Sequence, residues 1–162
     1  MPRGCPHTVR TPEREFLIWL AGFIDADGSL GATKNTVNGY ETFRPYFYVG
    51  GTSKKTIELI ATELGANKIR RYAYPKNPNW KQAHRLTLNG ENAAQIANML
   101  LPYLRLKRRQ GEIIASWPRK RTVKVKGQMG TIRDENAHVA QKAAYEELRI
   151  LNQRGHGTSP GL

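Results

Sequence analysis

From Glu15 to Asp27 the chain reads EFLIWLAGFIDAD, and apolar residues fall on nearly every side of the helical wheel this run describes. A helix that is apolar all round belongs at an interface rather than on a surface. Thr11-Pro12 predicts its start, as an N-cap followed by proline at the first helical position, with Glu13 and Glu15 suited to the positive end. Gly28 stops it, and Ala21 and Gly22 are small enough to let another backbone approach. The period then changes from that of a helix to that of a strand. SLGATKNTV (29–37) and ETFRPYFYVGG (41–51) flank Asn38-Gly39, a strong hairpin signal. In the second strand Phe43, Pro45, Phe47 and Val49 share one face, while Arg44, Tyr46 and Tyr48 share the other. Pro45 predicts an edge strand or a bulge.

A helical period returns over 54–64 through Ile57, Ile60, Ala61 and Leu64, and Gly65 closes it. NKIRRYAY (67–74) and AHRLTL (83–88) form a second strand pair across the polar loop PKNPNWKQ. Helices follow at 91–101, at 106–117 after Pro102, and at about 133–153. The order is helix, two strands, helix, two strands, helices. That is an α+β fold, with one antiparallel sheet covered by helices on a single face. Residues 1–11 read as a basic arm, 12–154 as one domain and 155–162 as a disordered tail.

Composition decides what the uncovered face meets. Lys and Arg number 26 against 13 Asp and Glu, a formal net charge of +13 and a pI near 10.2. Basic residues recur from Arg3 to Arg154, so the excess is no single tail. Such a charge favours nucleic acid as partner over mere solubility. The uncovered face carries Arg44, Tyr46, Tyr48, Lys68, Arg70, Tyr72, Tyr74, Arg85 and Thr87, with no acid among them. Lys34, on the first strand, is assigned to DNA with them. An antiparallel ribbon of this kind fits the DNA major groove. Cys5 is alone, which excludes a disulfide framework. His7, His84, His138 and His156 lack metal-ligand spacing, which argues against a zinc or HNH nuclease. No membrane span and no apolar signal-peptide core is present. A soluble intracellular protein is expected, in a prokaryotic cytoplasm or inside an organelle.

One feature runs against the charge. Asp25 and Asp27 end the apolar helix, where carbonyl dipoles already place negative charge and carboxylates are repelled. Something positive must reach that end from elsewhere. Two carboxylates beside free helix carbonyls make a hard oxygen site that suits Mg²⁺. The bland alternative is a helix-terminal turn that uses Asp for local hydrogen bonds.

LAGFIDADG, at 20–28, resembles the signature of the LAGLIDADG homing endonucleases, departing at Phe23. The resemblance covers roughly 12–117, and the family's αββαββα order matches the order read above. PYLRLKRRQ (102–110) is similar to the family's segment that carries a basic residue near the scissile phosphates. The resemblance implies metal-dependent cleavage of a long, pseudo-palindromic DNA site across the minor groove, leaving 3′ overhangs, by an intron-encoded enzyme. It implies that Asp27 and the Ala26 carbonyl bind Mg²⁺ or another divalent cation such as Mn²⁺. Asp25 matches an aspartate that more often caps or braces the helix. Lys107 matches the basic pocket residue, with a plain phosphate contact or a solvated role as the alternatives. Gly51 or a neighbour stands where the family often has a water-positioning glutamine, so either Thr52 or Ser53 would hold the water, or bulk hydration would supply it. Lys55, or less favourably Lys54, completes the basic pocket. A single motif implies a homodimer, with Trp19, Leu20, Gly22 and Phe23 between two α-helices. Two other functions fit the same surface: an intron RNA-binding maturase, and a DNA-binding regulator without chemistry, against which Asp27 argues.

Overall fold

In the computed structural model, residues 9–66, 69–71, 79–119 and 134–153 are described. Helix α1 (Arg14–Asp27) begins two residues later than the Thr11-Pro12 pair predicts. Its N-cap is Glu13, in extended conformation and without a side-chain cap. Pro12 is buried in the lead-in instead. Strands β1 (Ser29–Val37) and β2 (Tyr40–Gly51) form the expected hairpin. Asn38 and Gly39 have φ of 50° and 79°, the two positive values a tight primed turn requires. Helix α2 (Lys54–Glu63) starts on Ser53, whose hydroxyl accepts from the Thr56 amide at 3.4 Å. Strands β3 (Ile69–Arg71) and β4 (His84–Asn89) complete a four-stranded antiparallel sheet in the order β1-β2-β4-β3. Helices α3 (Glu91–Leu100), α4 (Arg108–Ala115) and α5 (Glu135–Asn152) follow. No described helix is long and apolar enough to cross a membrane.

Pro45 is not on an edge strand, because β2 pairs on both sides. Pairing with β4 ends at Tyr46 opposite Asn89, one residue short of the proline. The Pro45 carbonyl accepts from the Gly90 amide at 2.9 Å, so its missing N–H points to that same flank, where the Gly90 carbonyl accepts from the Ala94 amide instead. The sheet loses no ladder bond to the proline.

All the helices lie on one face. There Phe47, Val49 and Leu86 meet Leu20, Ile24, Ile57, Ile60 and Ile96 in one core. Phe47 is fully buried, a contribution of about 1.5–3 kcal/mol by burial alone. Helix α5 closes the β1 side, its His138 and Tyr145 rings 5.6 and 5.1 Å from the Phe43 ring. Asn152 ends that helix by donating to the Leu30 carbonyl at 3.1 Å.

Gly28 joins α1 to β1 with φ −83° and ψ 175°, an extended conformation open to any residue. Space is what requires glycine: a Cβ would stand 2.8 Å from the Ile24 Cα. Ile24 is fully buried and cannot yield. Gly28→Ala is therefore expected to lower stability by about 1–3 kcal/mol, read as a fall in the denaturant midpoint at unchanged slope.

Candidate functional site

The two aspartates at the end of α1 have different surroundings. The Asp25 carboxylate accepts from the backbone amides of Arg105 at 2.7 Å and Lys107 at 2.9 Å, one on each oxygen. It braces a segment 80 residues away rather than its own helix. This is also why α4 starts at Arg108, later than the apolar period suggests: residues 105–107 are drawn into a bend against α1. The Lys107 ammonium donates to the carbonyls of Ile24 at 2.6 Å and Asp25 at 2.8 Å. The Asp25 carbonyl is one that a helix C-terminus leaves without an intrahelical partner, whereas the Ile24 carbonyl also accepts from the Gly28 amide at 3.1 Å. The positive group demanded by two aspartates on a negative helix end is Lys107.

Burial pushes the Lys107 ammonium below the ordinary lysine range, and the charges of Asp25 and Asp27 oppose that shift. An ammonium has three donors, and two are engaged, so one remains for a ligand. Asp27 is exposed, as is Ala26, and Asp27 makes no hydrogen bond or ion pair with a described residue. One carboxylate and one helix-end carbonyl are hard oxygen donors. Among the described residues, no three His, Cys, Asp or Glu side chains are arranged to hold a metal ion. The donor set fits a Mg²⁺-type cation that keeps several waters and takes few protein ligands.

Other residues expected here divide. Ser53 caps α2, accepting also from the Thr56 hydroxyl at 2.9 Å, so its oxygen is already engaged at the helix start. Lys54 pairs with Glu58 at 3.3 Å, whereas Lys55 is exposed and has no ion pair with a described residue. Gly51 ends β2 opposite His84, with open space where a side chain would be. Neither Lys55 nor Gly51 hydrogen-bonds to the acidic turn.

Register fixes the uncovered sheet face. Ser29, Gly31 and Thr33 of β1 stand opposite Tyr48, Tyr46 and Arg44 of β2, and Tyr48 and Gly50 stand opposite Thr87 and Arg85 of β4. The described strand positions of this face include no acid. Tyr46 lies across Gly31, where a Cβ would come within 2.6 Å of its hydroxyl, and Tyr48 lies likewise over Gly50. The Tyr46 and Ser29 hydroxyls are 3.3 Å apart. The rings therefore flatten onto the sheet. Arg70 pairs in register with Arg85; Lys68, Tyr72 and Tyr74 lie outside the described residues.

Lys34 does not share that face. It stands opposite Phe43, on the helix-covered side, and its ammonium is 2.7 Å from Glu41. The hydrogen bond between them raises the Lys34 pKa and lowers that of Glu41. Of the basic segment 119–126, Arg119 pairs with Glu91 at 2.5 Å, and the remainder lies outside the described residues, as do the first eight residues and the tail.

The outer face of α1 also needs correction. Leu20 and Ala21 are fully buried within the chain's own core, because the helix lies against β2 and α3 on that side. The opposite face exposes Ile18 (47%) and Trp19 (42%), and Gly22 is exposed with nothing within 4 Å of a built Cβ. Phe16, Trp19 and Phe23 stack along it at 5.5 and 5.6 Å.

The fold is that of the LAGLIDADG homing endonucleases. The chain superposes on the homing endonuclease I-CvuI, in complex with the I-CreI target in the presence of magnesium with the DNA not cleaved. That match has a TM-score of 0.64 at 23% identity and covers 90% of this chain and 87% of that one. An archaeal intron-encoded homing endonuclease, I-Vdi141I in complex with DNA, matches with a TM-score of 0.62 at 20% identity over 91% of both chains. The I-SmaMI LAGLIDADG homing endonuclease bound to cleaved DNA matches with a TM-score of 0.53 at 16% identity, over 93% of this chain and 47% of that one. No protein-family profile and no curated protein matches the sequence.

Replacing Asp25 by alanine leaves the Arg105 and Lys107 amides without their acceptor. Hydrogen bonds to a charged group contribute about 1.5–3 kcal/mol each. Water replaces the acceptor at the exposed Arg105 amide, so the expected outcome is a loss of about 1.5–3 kcal/mol of local stability, roughly one such bond. Hydrogen exchange should show it as faster exchange confined first to those two amides, with the β2 core amides still protected.

Proposed function

We propose that the chain is a homodimeric, site-specific DNA endonuclease whose two acidic turns each cut one strand. The observation that carries this reading is the division between the aspartates. Asp25 is engaged on both oxygens, while Asp27 is exposed and makes no hydrogen bond or ion pair with a described residue, beside a lysine with a donor to spare. A DNA-binding regulator has no need of an unpartnered carboxylate next to phosphates.

Asp27 and the Ala26 carbonyl would hold a divalent cation, Mg²⁺ or Mn²⁺. When bound, that cation supplies charge neutralisation at the scissile phosphate. The third Lys107 N–H donates to a phosphate oxygen, where negative charge builds as the bond to the 3′ oxygen breaks. Lys55 adds a second cation to the pocket, and the space left by Gly51 admits the attacking water. The open face docks in the major groove, with Arg44, Arg70 and Arg85 reading base edges and Tyr46, Tyr48 and Thr87 filling in around them. The net charge of +13 draws the dimer to the duplex.

One chain offers one acidic turn, and two strands require two. The exposed Ile18, Trp19 and Gly22, with half-buried Phe23, run along α1 towards Asp27, so packing this stripe against its copy brings two acidic turns to one axis. The match to just under half of I-SmaMI, over nearly all of this chain, accords with such a half. I-CvuI and I-Vdi141I, whose chains this one nearly spans, are both seen with DNA. I-Vdi141I is intron-encoded, and we extend that origin to this chain.

Two substitutions test the reading. Asp27→Asn should lower cleavage by at least about 100-fold while sequence-specific binding persists, because the carboxylate also repels phosphates. Metal-dependent cutting at the wild-type rate by purified Asp27→Asn protein would refute its role. Gly22→Arg places a long charged side chain where two helices are to meet, and should convert a sedimenting dimer to a monomer without lowering the melting temperature of the fold. A wild-type protein that cuts both strands as one protomer per site would refute the dimer.

A further inference from the structure

We infer that Gly31 is a positioning residue for base reading: it seats the Tyr46 ring flat on the open sheet face and so fixes which base pair the Tyr46 hydroxyl meets. This rests on the proposed DNA-cleaving function, in which that face docks on the duplex while the second copy packs on α1, on the other side of the sheet. Gly31 and Tyr46 are register partners on neighbouring strands. No described helix covers their face, yet Gly31 is buried and Tyr46 is half-buried. The ring itself supplies the cover. A Cβ on Gly31 would stand 2.6 Å from the Tyr46 hydroxyl oxygen, 2.7 Å from Cζ and 3.0 Å from Cε1, so the ring fills the space a side chain would take. A ring laid over a glycine of an edge strand is by itself a common way to stabilise a sheet.

Its functional weight comes from where the hydroxyl ends. The Tyr46 oxygen is 3.3 Å from the Ser29 hydroxyl, and Ser29 is two residues past Asp27. That separation is long for a hydroxyl pair, ordinarily about 2.7–2.8 Å. The glycine seat therefore sets the ring, and Ser29 contributes little. The two hydroxyls hold two donors, and their mutual bond uses one, so an O–H remains for a base edge. Tyr48, opposite Ser29, is laid along β2 over Gly50 instead, a Cβ there standing 2.5 Å from its hydroxyl. Exposed Thr33 and Arg44 form the next pair on this face, one step farther from the acidic turn. Tyr46 thus reads next to the cut, and Arg44 farther out. An alanine at 31 is accommodated when the ring lifts, since Tyr46 has solvent above it, whereas Ile24 beneath Gly28 has none. Lifting carries the hydroxyl off its base without disturbing the core.

The test is a cleavage selection from a randomised duplex library with magnesium, run on the wild-type protein, Gly31→Ala, Tyr46→Phe, Tyr46→Ala and the double variant Gly31→Ala/Tyr46→Ala. The wild-type protein should prefer one base pair by at least about fivefold at a position next to each cut, the low end of what a base contact supplies. In Gly31→Ala and in Tyr46→Phe that preference should fall to about one, with the preferences farther out unchanged. On the Tyr46→Ala background Gly31→Ala should change nothing, because no ring is left to lift. A Gly31→Ala profile identical to wild type, or one weakened evenly at every position, overturns the inference and leaves the endonuclease reading intact. If Gly31→Ala fails to fold or to cut, Tyr46→Phe decides, since it keeps both ring and glycine: an unchanged preference next to the cut overturns the inference. A wild-type protein that selects no site overturns both readings.

Discussion

Two carboxylates at the C-terminal end of a helix are an electrostatic liability, and the clasp between that end and residues 105–107 makes them tenable. Asp25 takes two backbone amides, and Lys107 returns its ammonium to two helix carbonyls. The exchange is reciprocal: the helix end organises the bend, and the bend neutralises the helix end. It also joins the first helix to the chain's later half across 80 or more residues. Gly28 allows this by letting β1 leave the helix within van der Waals distance of Ile24, with no side chain in the way.

The clasp leaves Asp27 exposed, with no hydrogen bond or ion pair to a described residue. The remaining features point outward in the same way. The open sheet face is without acid at its described positions, and its tyrosines lie down over glycines, which leaves a flat surface for a groove. The exposed side of α1 keeps Trp19 and Ile18 in solvent and leaves Gly22 with unused space. None of these is required by the core of a single chain. Together they suit the proposed dimer, in which a second copy covers α1 and DNA lies across both sheets.

Much of this was legible in the sequence because it rests on periodicity and local chemistry. The β2 alternation, the Asn38-Gly39 turn and the 3.6-residue period of α2 and α3 all reappear at their expected places. The failures have physical reasons. In a helix apolar on all sides no period tells core from interface, so the sequence does not show that Leu20 is fully buried. For Lys34 a signal exists, since alternation counted from Leu30 through Ala32 puts it on the covered side. Thr11 has the chemistry of a cap, but Pro12 is drawn into the interior and the helix starts after it. The partners of Asp25 are beyond reach of any local rule, because the donors to its carboxylate are the backbone amides of Arg105 and Lys107, which carry no sequence signature.

The central claim is that this chain is one half of a two-fold device that cuts both strands of a duplex. The most direct measurement is a cleavage selection from a randomised duplex library with magnesium present, with the cut mapped on each strand. The account predicts a recovered sequence that is at least partly palindromic, with one cut on each strand at positions related by its two-fold axis. Recovery of an asymmetric site, or of products cut on one strand alone, would contradict it.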